Sequence, residues 1–129
     1  MEDRMVMGIG VDLVKHSEMD RLLSTDGGAF EKQTFTPSEL KQADRAVDRV
    51  QYLSGRFAAK EAVFKALAIS AQQKDFDLRV IETLDAQDGH PHIQTGDGFQ
   101  RILDEAGIER LMVSLSHEGE YSIAMVVAE

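Results

Sequence analysis

Apolar positions along the chain follow two periods. Residues 5–14 are apolar, with β-branched side chains and two glycines, and predict a strand ending near Asp12. Ser17 and Asp20 form an S-x-x-D start for a short helix carrying Met19, Leu22 and Leu23, which Asp26-Gly27-Gly28 breaks. One helical turn is predicted over 29–33. Thr36-Pro37-Ser38-Glu39 sets a cap residue, a proline at the first helical position and a glutamate at N3, so a helix begins there and ends within 43–47. The helical period then runs from about 49 to 71. Residues 78–84 alternate as a strand, Asp88-Gly89 predicts a hairpin turn, and the partner strand covers 90–95 with Pro91 at its start or on an edge. Phe99, Ile102, Leu103 and Ala106 predict a helix that Gly107 closes. Leu111, Val113 and Leu115 alternate against Met112, Ser114 and Ser116, and a turn over 117–120 leads into a last strand over 121–128. Hairpins rather than regular crossovers predict an α+β domain with a largely antiparallel sheet and one long helix.

Composition narrows the function classes. At 129 residues the chain is read as a single domain over 1–129, long enough to bury a core without staples. It has no cysteine, which excludes disulfides, thiolate catalysis and cysteine-ligated zinc or iron–sulfur sites, and which suits a cytoplasmic setting. The first residues lack the basic start and apolar core of a signal peptide, and no apolar run approaches the ~20 residues a bilayer span needs. A net charge of −9 disfavours nucleic acid and anionic membranes as partners. The acidity is uneven: residues 41–65 hold six of the 14 basic residues against three acids, which points to local anion binding.

The long helix carries the informative chemistry. At roughly 100° per residue, Val50, Leu53, Phe57, Phe64 and Ala68 form an apolar stripe with Glu61 inside it. A carboxylate facing a core needs a cation, a metal or a hydrogen-bond donor. Lys65, four residues on, can supply a simple helix ion pair. Arg56 and Lys60 are like charges at i,i+4 that repel unless they share an anion, an arrangement suited to a metal bridging to a phosphate. Taken alone, Asp12 reads as a turn or cap residue, His117 as a surface turn residue, and His90 and His92 as solvent-facing. Gly8-Ile9-Gly10 lacks the third glycine and the helix start of a dinucleotide fingerprint. No nucleophile elbow, Walker loop, serine triad or paired-histidine zinc spacing is present.

In combination, G-I-G-V-D (8–12), F-T-P-S-E (35–39), G-R-F-A-A-K-E-A-V-F-K-A (55–66) and V-S-L-S-H-E (113–118) resemble the holo-acyl-carrier-protein synthase family of 4′-phosphopantetheinyl transferases over nearly the whole chain. The resemblance implies the 4′-phosphopantetheinyl transferase fold. It also implies transfer of the 4′-phosphopantetheine arm of coenzyme A to a serine of an apo acyl-carrier protein or domain, with release of adenosine 3′,5′-bisphosphate. By the same match, Asp12 and Glu61 hold Mg²⁺ with the pyrophosphate. Arg56, Lys60, Lys65 and His117 surround the coenzyme A phosphates and adenosine end. For that chemistry Lys65 and Lys60 are expected to stabilise charge on the leaving phosphate, and Glu61, or a metal-bound water near it, is the candidate base. A cytoplasmic homotrimer with active sites between subunits is likewise implied.

Two positions depart from the family pattern. The glycine-rich phosphate loop after the long helix is replaced by A-L-A-I-S-A-Q-Q-K-D-F, leaving Ser70, Gln72 and Lys74 as candidates for that contact. The docking arginine six residues after Asp12 is Glu18, with Arg21 one turn later as its substitute. These departures give weight to an alternative, a coenzyme A or carrier-binding module without turnover. A structural α+β domain with accidental motifs is a third reading.

Overall fold

A computed structural model describes residues 5–68 and 77–129. Five strands and five helices follow the predicted order. They are β1 (Gly8–Lys15), α1 (His16–Leu23), α2 (Ala29–Thr34), α3 (Pro37–Arg45), α4 (Arg49–Ala66), β2 (Ile81–Asp85), β3 (Pro91–Thr95), α5 (Asp97–Glu105), β4 (Leu111–Glu118) and β5 (Tyr121–Ala128). Strands β1, β5 and β4 form one antiparallel sheet in that order, and β2 and β3 form a separate hairpin.

Helix α4 lies against the inner face of the larger sheet, packed chiefly on β1 and β5. Two glycines permit the approach. A Cβ on Gly8 would stand 1.9 Å from the carbonyl oxygen of Ala66, and one on Gly10 would stand 2.0 Å from that of Ala62. The G-x-G of the first strand is therefore a steric requirement of strand-on-helix packing. Alternation does the rest: Gly8, Gly10, Asp12 and Val14 face the helix, while Ile9, Val11 and Leu13 point outward and stay exposed.

The structure redraws the face of α4. Leu53, Ala58, Ala59, Ala62, Val63, Phe64 and Ala66 are buried, and so are Arg56 and Lys60. Val50, Phe57 and Glu61 are only partly buried, and Lys65 is exposed. The deepest side of the helix includes its alanine-rich side, because small residues let the sheet come close. Of the stripe assigned from the helical period, Leu53 and Phe64 are buried, while Val50 and Phe57 lie at the margin and Ala68 is exposed. The buried charges needing compensation are Arg56 and Lys60.

Other boundaries shift for local reasons. Helix α3 starts where its capping box predicts, with Glu39 N donating to Thr36 Oγ1 at 3.1 Å and Thr36 N to Glu39 Oε1 at 2.9 Å. Strand β1 continues past Asp12 to Lys15 because β5 pairs it to the end, Lys15 opposite Tyr121. Residues Leu78–Val80 form a 3₁₀ turn before β2. The last turn shrinks to Gly119-Glu120, with Gly119 at φ 57°, so His117 belongs to β4 and pairs with Ser122. Helix α4 ends at Ala66 and Ala68 has φ 57°; the predicted extension to residue 71 falls partly outside the described residues. Ser70, Gln72 and Lys74 also lie outside them. Among the described residues, no helix is long and apolar enough to cross a membrane.

Candidate active site

The candidate residues fall into two groups spaced along α4. At the first, Asp12 extends from the inner face of β1, and Lys65 crosses from α4 to meet it. Lys65 Nζ donates to Asp12 Oδ1 and to the carbonyl of Val11, both at 3.0 Å. Glu61 sits one turn before Lys65 on the same helix, partly buried. Strand and helix thereby bring together an acid–acid–cation set that no short stretch of sequence could hold. An ammonium has three donors, and among the described residues these two bonds leave Lys65 a third.

The donor set fits a hard divalent cation of the magnesium type. Such an ion takes one or two carboxylates and fills its remaining positions with water and substrate phosphate oxygens. Asp12 and Glu61 offer that number. Among the described residues there is no group of three or more histidine, aspartate or glutamate side chains that could enclose a metal by itself.

The second group surrounds a cavity of about 510 Å³ lined by Val47, Asp48, Tyr52, Arg56, Asp85 and His117, among others. Arg56 is 3 % exposed; its Nη2 lies 2.7 Å from Asp85 Oδ1 and its guanidinium stacks 3.9 Å from the Tyr52 ring centroid. Its Nε is buried without a hydrogen-bond partner among the described residues. His117 enters from β4 with Nδ1 on Ser122 Oγ. Burial pushes its imidazole below the ordinary histidine range; His16 and Arg56 add to this and Asp48 opposes it. Arg56 and Glu61 are five residues apart, about 7.5 Å along the helix axis.

Lys60 belongs to neither group. Its side chain is completely buried, with Nζ 2.9 Å from Glu39 Oε1 and donating to the carbonyls of Leu78 (3.0 Å) and Ile81. All three donors are engaged inside the protein. Burial pushes the ammonium below the ordinary lysine range, with Glu39 opposing. Arg56 and Lys60 therefore tolerate each other at i,i+4 because each has its own carboxylate, Asp85 and Glu39, and not because they share one anion.

Several residues here were missed from sequence. Glu39 was read only as a helix cap, yet it also carries the buried counter-charge, accepting from Thr83 N at 3.0 Å. Asp85 gave no signal, being the last residue of a hairpin strand. Tyr52 did: an aromatic one turn before an arginine is a legible stacking pair. On exposed α1, Glu18 and Arg21 form an ion pair with each other. His90 and His92 are exposed, as expected.

Comparison with known proteins covers nearly the whole chain. A family model described as the 4′-phosphopantetheinyl transferase superfamily matches residues 8–126. A holo-[acyl-carrier-protein] synthase of Dehalococcoides mccartyi is 39% identical over 121 residues, 93% of this chain and 96% of its own length. The crystal structure of holo-[acyl-carrier-protein] synthase from Neisseria meningitidis superposes with a TM-score of 0.86 at 37% identity, covering 97% of this chain and 99% of that one. The ACPS–CoA complex from Chronobacterium ammoniagenes matches with a TM-score of 0.82 at 31% identity, over 96% and 97% of the two chains.

Proposed function

The chain belongs to the 4′-phosphopantetheinyl transferase superfamily as an enzyme of the holo-[acyl-carrier-protein] synthase kind, and from that membership we propose how its own residues act. The acceptor is a serine of an apo acyl-carrier protein or domain. The donor is coenzyme A, and adenosine 3′,5′-bisphosphate leaves. The observation that carries this reading is the Asp12–Lys65 contact, which sets a carboxylate of β1 beside the Glu61 turn, within two helical turns of a cavity holding Arg56 and His117.

Asp12 and Glu61 would hold Mg²⁺, whose charge would neutralise the pyrophosphate and expose its phosphorus to attack. Glu61 takes the proton of the carrier serine as its oxygen bonds to the phosphorus bearing the pantetheine arm. The bond from that phosphorus to the oxygen of adenosine 3′,5′-bisphosphate breaks. Lys65, with a donor to spare beside Asp12, stabilises the charge left on the departing phosphate. Arg56 and His117 bind the phosphates and adenosine end in the cavity. Lys60 supports α4 from within.

The test is mass spectrometry of apo carrier proteins incubated with the protein, coenzyme A and Mg²⁺, with and without chelator. The expected result is a phosphopantetheine mass gain on the carrier serine that chelation abolishes. Coenzyme A binding without any mass gain across the carriers would return the binding-module reading.

The assembly is part of the proposal. The outer face of the larger sheet exposes Ile9, Val11, Leu13, Met112, Ile123 and Met125. A contiguous apolar face of this kind marks an interface, and we read it as the contact of a homotrimer. Light scattering should give three chains, and Val11→Glu, which sets a charge on that face, should lower the mass toward one. A wild-type monomer under assay conditions would contradict the trimer. The cysteine-free composition suits the cytoplasm.

A further inference from the structure

Two imidazoles converge on one buried hydroxyl at the end of the larger sheet. Ser122 Oγ lies 2.6 Å from His117 Nδ1 and 2.7 Å from His16 Nε2. Topology builds the cluster. His117 faces Ser122 across the β4–β5 ladder, Ser122 faces Val14 across β5–β1, and His16 follows β1 directly as the first residue of α1. Ser122 is completely buried, and its further contact, to the carbonyl of Gln51, is a long one at 3.5 Å. A hydroxyl has one proton and two lone pairs. With both rings neutral and the hydroxyl proton directed to a ring rather than to the more distant Gln51 carbonyl, one ring donates to Oγ and the other accepts from it.

The ring of His117 is also held from its other side. A Cβ on Gly55 would stand 3.0 Å from His117 Cε1, so a side chain at residue 55 would crowd the imidazole edge against α4. With Nδ1 engaged by Ser122, Nε2 is the nitrogen left for the cavity that His117 shares with Arg56. A neutral imidazole can donate to an anion only from the nitrogen that carries its proton.

We propose that Ser122 and His16 are positioning residues for His117, fixing its orientation and tautomer so that Nε2–H is presented to a phosphate oxygen of coenzyme A. The proposal rests on the role given to His117 above. In the neutral arrangement this role requires, His16 Nε2–H donates to Ser122 Oγ and the hydroxyl donates to His117 Nδ1, which places the His117 proton on Nε2. When His117 is protonated the chain reverses: Nδ1–H donates to Oγ, the hydroxyl donates to His16 Nε2, and His16 carries its proton on Nδ1. His117 Nε2 keeps a proton in both states. Removing the hydroxyl frees the ring to adopt either tautomer.

The experiment combines long-range ¹H–¹⁵N NMR of His117 with steady-state kinetics in coenzyme A, for wild type, Ser122→Ala, His16→Phe and His117→Ala. Wild type should show a single Nε2–H tautomer. Ser122→Ala and His16→Phe should mix the tautomers and raise KM for coenzyme A by about five- to tenfold, with kcat within about twofold. Added to His117→Ala, Ser122→Ala should raise KM no further, since the two act through one ring. Unchanged tautomers in both variants, or mixed tautomers with an unchanged KM, would overturn the positioning role while His117→Ala still weakens binding. A wild-type KM in His117→Ala would instead overturn the His117 assignment, and this inference with it.

Discussion

Replacing Glu61 by glutamine is expected to lower turnover on the order of a thousandfold, the scale of a general base in proton transfer, without lowering the melting temperature by more than a few degrees. Glu61 is only partly buried, so an isosteric neutral side chain has room to be solvated. A parallel Asp12→Asn substitution separates holding a cation from taking a proton. Asp12 contributes a carboxylate and the partner of Lys65, at 3.0 Å, but does not touch the serine in the proposed reaction. Its variant should recover part of its rate as Mg²⁺ is raised, because mass action can offset a weakened site. Glu61→Gln should not recover, since no cation concentration restores a proton acceptor. Turnover like wild type in Glu61→Gln would remove Glu61 from the chemistry, and full Mg²⁺ rescue would confine it to cation binding.

What the chain revealed in advance and what it concealed divide along physical lines. Elements whose signals are local were legible: the capping box at Thr36 and Glu39, the Asp88-Gly89 turn and the alternation in β4 and β5 all lie within a few residues. Asp12 was legible only through resemblance, because its meaning comes from Lys65, 53 positions away. The helical wheel found Leu53 and Phe64 but missed the alanine side of α4, because it weighs side chains by hydrophobicity, whereas the helix also buries its smallest residues where Gly8 and Gly10 approach. The paired acids of Arg56 and Lys60 come from β2 and α3, and no spacing within the helix points to either. His117 looked like a turn residue until the β4–β5 register placed it opposite Ser122.

Lys60→Met is the second large effect, and it should fall on stability rather than on chemistry. The Lys60 ammonium and the Glu39 carboxylate are both completely shielded from solvent. Removing the cation leaves Glu39 buried with the backbone donors of Thr36 and Thr83 but without its counter-charge. Breaking one partner of such a pair costs about 3–5 kcal/mol, which for a chain of this size lowers the melting temperature by roughly 10–20 °C. The carbonyls of Leu78 and Ile81 lose their donor as well, which adds to the deficit. Below its melting temperature the variant should keep KM for coenzyme A within about threefold of wild type, as expected of a group that meets no ligand. Thermal unfolding at fixed protein concentration reads the first claim, and steady-state kinetics reads the second. A stable Lys60→Met protein with a greatly raised KM would put the ammonium back among the phosphate ligands. With the expected result, two adjacent residues of the K-E-A segment divide the work: Lys60 holds α4 in place, and Glu61 acts on the substrate from it.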